Sequence, residues 1–286
     1  MLELADRMDS KSIVRKNVWV QVPPQALFYL MLDEIHVIYK DKNFLAVYKP
    51  ANLLVHPVRI SNFQFPIFKK PTLVDWLLKH YPEIKNVGDP STSSGQANLR
   101  PGIVHRLDKD TSGVILVARN QKYFNYLKHL FQSHQIKKTY LALVYGELKP
   151  KTGIIKKPIS LKPGTIKRTI WAGKMEKQAI TEYKVLKYFK TRINTDKNTD
   201  KHGYIFTFLR VMPKTGRTHQ IRVHLASIGH PIVGDALYGP KQSLLDLKRL
   251  FLHAASLEFS TVEGSRIKIE AALPEELKIV LCKIKT

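Results

Sequence analysis

What most constrains the fold is a series of short apolar runs rich in β-branched and aromatic residues. "IHVIYKDKNFLAVYKP" holds two of them around Asp41-Lys42-Asn43, which reads as a β-hairpin closed by Pro50. "GVILVARN", "KTYLALVYGEL", "AITEYKVLKYF", "GYIFTFLRVMP", "RLFLHAASLEF" and "RIKIEAALP" follow, most of them after links of hairpin length. Helical spacing is rarer. It occurs in "TLVDWLLKHYPEI" (Leu73, Val74, Leu77, Leu78) and in "NQKYFNYLKHLFQS", where Asn120 is a candidate N-cap and Phe124, Leu127 and Phe131 share a face. "THQIRVHLASIGHP" fits a short helix capped by Thr218, lined by Ile221, Leu225 and Ile228 and ended by Gly229, and "PEELKIVLCKI" reads as a closing helix. Strands outnumber helices. The expectation is an α+β fold with a mixed, mainly antiparallel sheet and flanking helices.

Residues 1–32 are the least regular and read as an N-terminal extension. Residues 33–286 read as one domain, interrupted at 86–100 by "NVGDPSTSSGQANLR", whose polar composition suggests a flexible loop insert. "KKPISLKPGTIKRTIWAGKMEKQ" reads as a basic loop with an embedded Trp171, and "TDKNTDKHG" as a solvated hairpin tip.

Charge narrows the partner. The 286 residues carry 47 Lys and Arg against 23 Asp and Glu, a formal net charge of +24, which favours a polyanion. Nucleic acid comes first. An anionic membrane comes second, because no segment shows a basic face opposite a strong apolar one. A single cysteine, Cys282, excludes an internal disulfide framework and a cysteine-based zinc site. The cytoplasm is the expected location: the N-terminus lacks an apolar signal-peptide core, and no apolar run approaches the ~20 residues that span a bilayer.

Two clusters carry chemistry. In "VHRLDKDTSG", Val104–Gly113, Asp108 is flanked by Arg106 and Lys109 with His105 nearby, and neighbouring cations favour an ionised carboxylate. Such a group suits nucleophilic or electrostatic work. A surface ion pair is the plainer reading, but "DTSG" is a turn that leads into a buried strand. Asp110 reads as a turn-maker bonding local backbone N–H groups. The spacing also approaches the Asp-x-Asp of haloacid dehalogenase-type phosphotransferases, yet Ser112 stands at the fifth position and His105 and Arg106 interrupt the strand that should precede it.

In "KTGRTHQIRVH", Arg217, His219 and Arg222 gather where a helix begins, which suits an anion, whether a phosphate or a carboxylate; a solvated basic face is the alternative. His219 and His224 make a poor metal pair, since no third ligand is indicated. Tyr140, at the start of a strand, reads on its own as a packing residue.

"YKDKNFLAVYKPANLLVHP", "RPGIVHRLDKDTSGVILVARN", "KKTYLALVYGEL", "TGRTHQIRVHLASIGHPIVGDALYG" and "LHAASLEF" together resemble the RluA-type pseudouridine synthases, in order, over about residues 33–286. The resemblance implies the pseudouridine synthase fold with a central RNA-binding cleft, and isomerisation of uridine in ribosomal or transfer RNA without cofactor or metal. It implies that Asp108 is the essential carboxylate, acting at the sugar by attack or by proton abstraction. Arg222 would pair with Asp108, and Tyr140 would lie on the uracil and help remove the C5 proton. Arg106 would fill the gap left by the flipped base, and Leu252 would wall the pocket. His105, Arg217 and His219 join the expected substrate-binding set, and Arg168, Trp171 and Lys174 are candidate RNA contacts. Many members carry a small N-terminal RNA-binding domain. Residues 1–32 are too short for one, so a catalytic domain alone is expected, monomeric and with no obligate protein partner. Other readings of the motifs are a silent RNA-binding assembly factor on the same fold and a glycosidase that releases uracil.

Overall fold

A computed structural model describes residues 12–15, 18–21, 32–57, 71–89, 100–165, 167–171, 173–192, 203–240, 244–245 and 247–284. Most of the serine-rich stretch (90–99) and of the "TDKNTDKHG" tip lies outside them. The strands are β1 (Ser12–Arg15), β2 (Val18–Gln21), β3 (His36–Lys40), β4 (Phe44–Lys49), β5 (Ser112–Ala118), β6 (Lys137–Tyr145) and β7 (Thr152–Lys156). They continue with β8 (Ile159–Leu161), β9 (Arg168–Thr169), β10 (Lys174–Lys177), β11 (Ile180–Arg192), β12 (Gly203–Pro213), β13 (Leu252–Ser260) and β14 (Arg266–Glu270). The helices are α1 (Leu73–His80), α2 (Gln121–Gln132), α3 (Gln220–Ala226) and α4 (Glu275–Lys283).

Nine strands form one sheet in the order β3-β4-β5-β13-β6-β12-β11-β7, with β14 also on β13. The β5–β13 pairing is parallel and the other described pairings in this sheet are antiparallel, so the fold is the mixed, mainly antiparallel α+β arrangement expected from the sequence. β1 pairs with β2 separately.

The centre of the sheet explains the continuous apolar runs. Every residue of β4 and β5 is buried. Side chains alternate between two faces. Phe44, Ala46, Val114 and Leu116 pack with Phe124 and Leu127 of α2. Leu45, Val47, Ile115 and Val117 pack with Leu73, Val74 and Leu77 of α1. A strand covered on both sides cannot show polar alternation. A third core joins β6, β11 and β12 to α3 and α4 through Phe206, Leu209, Ile221, Leu225 and Leu277. Each of these side chains, fully buried, contributes about 1.5–3 kcal/mol. The helix starts are fixed by polar caps: Thr72 and Asp75 form a capping box on α1, and the Asn120 side chain accepts from the Tyr123 N–H on α2.

Two expectations are corrected. The basic loop after β7 contains a small antiparallel sheet, β10-β8-β9. β9 has two residues and every residue of β10 is exposed, so no apolar alternation announced it. Thr218 does not cap α3. The N-cap is His219, in a left-handed conformation with φ 56° and no side-chain cap bond.

Candidate active site

The loop carrying Asp108 is held at both ends. At its entry the His105 ring stacks on Phe131 at 4.3 Å, and its Nε2 accepts the Leu116 N–H at 2.8 Å. Burial, and then the charge of Lys138, push the imidazole pKa down to about 3, so the ring is neutral with its proton on Nδ1. At its exit, Thr111 N–H donates to the Asp108 carbonyl at 3.1 Å, which closes the turn through backbone. The described contacts give the Asp110 carboxylate no backbone N–H. Its charge instead supports Lys49, which is fully buried on β4. Lys49 Nζ donates to the carbonyls of Pro50, Leu53 and Lys109 at 2.7, 2.8 and 3.1 Å. Burial, then Arg249, lower its pKa to about 7 against the pull of Asp110 and Asp108.

Behind the turn, Arg249 donates to Ser112 Oγ at 2.8 Å, Ser112 Oγ lies 2.9 Å from His253 Nδ1, and His253 Nε2 lies 3.0 Å from the Ala271 carbonyl. The carbonyl can only accept, so the chain runs in one direction from Arg249 to Ala271. Gly113 follows with φ 127°; a Cβ there would collide with the Ala254 carbonyl of β13. That close approach of β5 to β13 places Asp108 beside Leu252 and β6.

The second motif meets it from α3. Gln220 uses its whole amide: its oxygen accepts from Thr215 Oγ1 and Arg217 N–H, and its nitrogen donates to the Ile180 carbonyl and Thr181 Oγ1. This pins the 214–219 loop to β11. His224 is likewise structural, bonded to Thr181 Oγ1 and the Lys157 carbonyl. Arg222 is 3% exposed, not part of a solvated face. Its Nε and Nη2 donate to the two oxygens of Asp235, each at 2.7 Å. The expected partner, Asp108, stands at 4.0 Å from Nη1. Burial pulls the guanidinium pKa down, but the hydrogen bonds and charge of Asp235, with Asp108 adding, hold it above its ordinary value. Asp235 also accepts the N–H groups of Leu237 and Tyr238, and the Tyr238 ring lies 5.2 Å from the guanidinium.

Asp235 and Tyr238 were missed from the sequence. A signal was present: Asp235 is one of two acids between Lys214 and Arg249, and it follows a glycine.

A cleft of about 810 Å³ is lined by Asp108, Arg106, His105, Tyr140, Arg217, His219, Arg222 and Leu252. All eight sequence-predicted site residues are thus on one surface. Asp108 keeps 20% of its side chain exposed, while Leu252 is buried at the wall. Burial, and then Asp108, raise the Tyr140 phenol above its ordinary value, which puts the two side chains in electrostatic reach. Arg106 is exposed, and one of its nitrogens lies 3.4 Å from His56 Nε2. Lys128, His134 and Lys138 also belong to the lining. Asp89 and Asp108 are the lining acids, and Asp89 pairs with Lys128. The cleft therefore presents excess positive charge with one open carboxylate at its floor. Among the described residues, no three His, Cys, Asp or Glu side chains are placed to hold a metal, and no helix is long and apolar enough to cross a membrane.

Comparison with known proteins agrees with this surface. The model of the RNA pseudouridylate synthase family matches residues 43–227, which include the Asp108 and Arg222 motifs. The chain is 40% identical over 218 residues to an uncharacterized RNA pseudouridine synthase of Aquifex aeolicus, covering 76% of this chain and 60% of that protein. It is 33% identical over 247 residues to the ribosomal large subunit pseudouridine synthase D of Borreliella burgdorferi, covering 86% and 68%. An uncharacterized RNA pseudouridine synthase of Chloroflexus aurantiacus is covered over 65% of its length, so the chain spans about two thirds or less of some of these relatives. The solved structure of human RNA pseudouridylate synthase domain containing 1 shares the fold, with a TM-score of 0.63, 24% identity and 85% of each chain covered. The chain belongs to the RNA pseudouridylate synthase family.

Proposed function

We propose that this protein isomerises uridine to pseudouridine within folded RNA, with large-subunit ribosomal RNA as the first candidate substrate, through Asp108 and without a cofactor. Residues 33–286 act as the catalytic unit. The observation that carries the reading is a partly open carboxylate, Asp108, at the floor of a basic cleft, 4.0 Å from an arginine already committed to a second carboxylate. The names of relatives such as the Borreliella protein support the choice of RNA.

The reaction conserves atoms. The C1′–N1 bond breaks, the uracil turns, and a C1′–C5 bond forms; the C5 proton leaves and N1 gains one. Asp108 acts at the sugar, either by attack on C1′ or by removing the C2′ proton. Arg222, anchored by Asp235, keeps that carboxylate in position. Tyr140 and Leu252 form the wall against which the uracil lies, and Tyr140 serves the exchange at C5. The base must leave its stack to reach Asp108, and the exposed Arg106 fills the gap. His105, Arg217 and the lysines along the cleft hold the RNA backbone.

The test is chemical mapping of pseudouridine in RNA from cells lacking the gene and from their parent. One or a few sites should disappear, in large-subunit ribosomal RNA, and return with the wild-type gene. Losses confined to transfer RNA would overturn the substrate, and unchanged maps would overturn the reading. Release of free uracil by the purified protein would make it a glycosidase instead.

A further inference from the structure

The small sheet β8–β10 is docked on the turn that carries Asp235. The Arg168 backbone N–H donates to the Tyr238 hydroxyl at 2.8 Å, and Lys167 Nζ donates to the Leu237 carbonyl at 3.1 Å. The same Tyr238 hydroxyl lies 2.9 Å from His219 Nδ1. With the Tyr238 hydroxyl donating to Nδ1, a neutral His219 carries its hydrogen on Nε2; the hydroxyl oxygen has a lone pair for the Arg168 N–H in either direction. Burial first, and the charges of Arg222 and Arg168, keep the imidazole neutral against the opposite pull of Asp108 and Asp235. Nε2 has no hydrogen-bond partner among the described residues, on a ring that lines the cleft.

Arg168 stands close enough for its charge to act on that ring. It is half-buried, its Nε is shielded from solvent without a hydrogen bond, and no carboxylate pairs with it among the described residues. A donor N–H shielded from water without a partner is unfavourable until an acceptor meets it. The surroundings offer few anionic ones: from Ile159 to Lys177 the chain has five Lys or Arg residues and one acid, Glu176. Trp171, 76% exposed, adds a flat apolar face to the same small sheet.

We propose that Arg168 and His219 form a phosphodiester-binding site for the RNA backbone next to the target uridine. The proposal rests on the reading that RNA enters this cleft. Tyr238 ties the site to the reaction, because its hydroxyl orients His219 while its ring and backbone belong to the turn that holds Arg222.

The experiment uses the full chain and large-subunit ribosomal RNA from cells lacking the gene. It compares KM for pseudouridine formation and the slope of log binding constant against log salt. Arg168→Ala, and Arg168→Gln as the variant that keeps the stem, should raise KM about tenfold, as loss of one charged hydrogen bond does. Each should flatten the salt slope by about 0.7–0.9, the value of one phosphate contact. Arg168→Lys should keep most of the slope. Lys278→Ala, on α4 and outside the cleft lining, controls for overall charge and should change neither quantity. A wild-type slope in Arg168→Ala and Arg168→Gln, or an equal flattening in Lys278→Ala, would overturn the site. If the wild type binds this RNA without forming pseudouridine, the substrate reading fails, and the slopes still decide whether Arg168 meets a phosphate.

Discussion

Arg222 gives two of its three nitrogens to Asp235, each at 2.7 Å, and presents the third toward Asp108 at 4.0 Å. The close pair is buried and the distant one is partly open, so Asp235 fixes where the guanidinium points. Removing one partner of a buried ion pair costs about 3–5 kcal/mol. Asp235→Ala should lower the urea midpoint accordingly. Asp235→Asn should fold better, yet lose at least about a hundredfold in turnover through misplacement of Arg222. A wild-type rate in Asp235→Asn would show that the fork does not position Arg222.

Tyr140 is expected to be a neutral phenol in the free protein, and so to take the C5 proton only as its own hydroxyl proton passes on. Burial and the Asp108 charge both raise its pKa, so the phenolate is disfavoured in the free protein. The rate should show no rise that follows phenolate formation below about pH 10. Tyr140→Phe should keep RNA affinity and lose on the order of 10²–10⁴-fold in product formation. Pre-steady-state rates across pH would check both, and a phenolate-like limb near neutrality would contradict the assignment.

Acid should destabilise the fold before carboxylates protonate. His105 and His253 have pKa values lowered to about 3 and about 4, in each case by burial first, from an ordinary value of 6.5. As pH falls from 6.5 toward 4, the unfolded chain takes up protons that these two rings do not. The stability they contribute is full above 6.5 and is lost as pH falls to about 4 for His253 and about 3 for His105. Urea midpoints measured at pH 7 and pH 5 should differ, and His253→Gln should reduce the difference. Equal midpoints would mean that the rings do not stay neutral.

Eight of the nine strands of the main sheet were legible from their apolar runs, and α2 because Asn120 caps it; β7, five residues with one buried, was not read. The small sheet was not legible: β9 and β10 are short and polar, and they form by docking on Tyr238 and Leu237. Thr218 was read as a cap because it precedes the helix. The left-handed His219 and the four bonds of Gln220 take over that task, and neither can be seen in spacing alone. Asp108 and Arg222 stood out within dense motifs. Asp235 did not, because a lone Gly-Asp reads as an ordinary turn until the buried arginine above it is known.

Gly113 should tolerate no side chain. Its φ is 127°, and an added Cβ would meet the Ala254 carbonyl, which is backbone and cannot yield cheaply. Gly113→Ala should destabilise by more than the ~1 kcal/mol of an ordinary glycine replacement and displace the Asp108 turn. A folded variant with wild-type melting temperature and activity would show that β5 and β13 separate readily.

The central claim is that Asp108 carries out the isomerisation. The most direct measurement is single-turnover pseudouridine formation by purified Asp108→Asn, alongside wild type, on large-subunit ribosomal RNA from cells lacking the gene, with binding measured on the same samples. Asparagine is nearly isosteric but cannot attack or accept a proton as a carboxylate does. The account predicts wild-type affinity with no detectable pseudouridine and no released uracil. Substantial product from Asp108→Asn would contradict it.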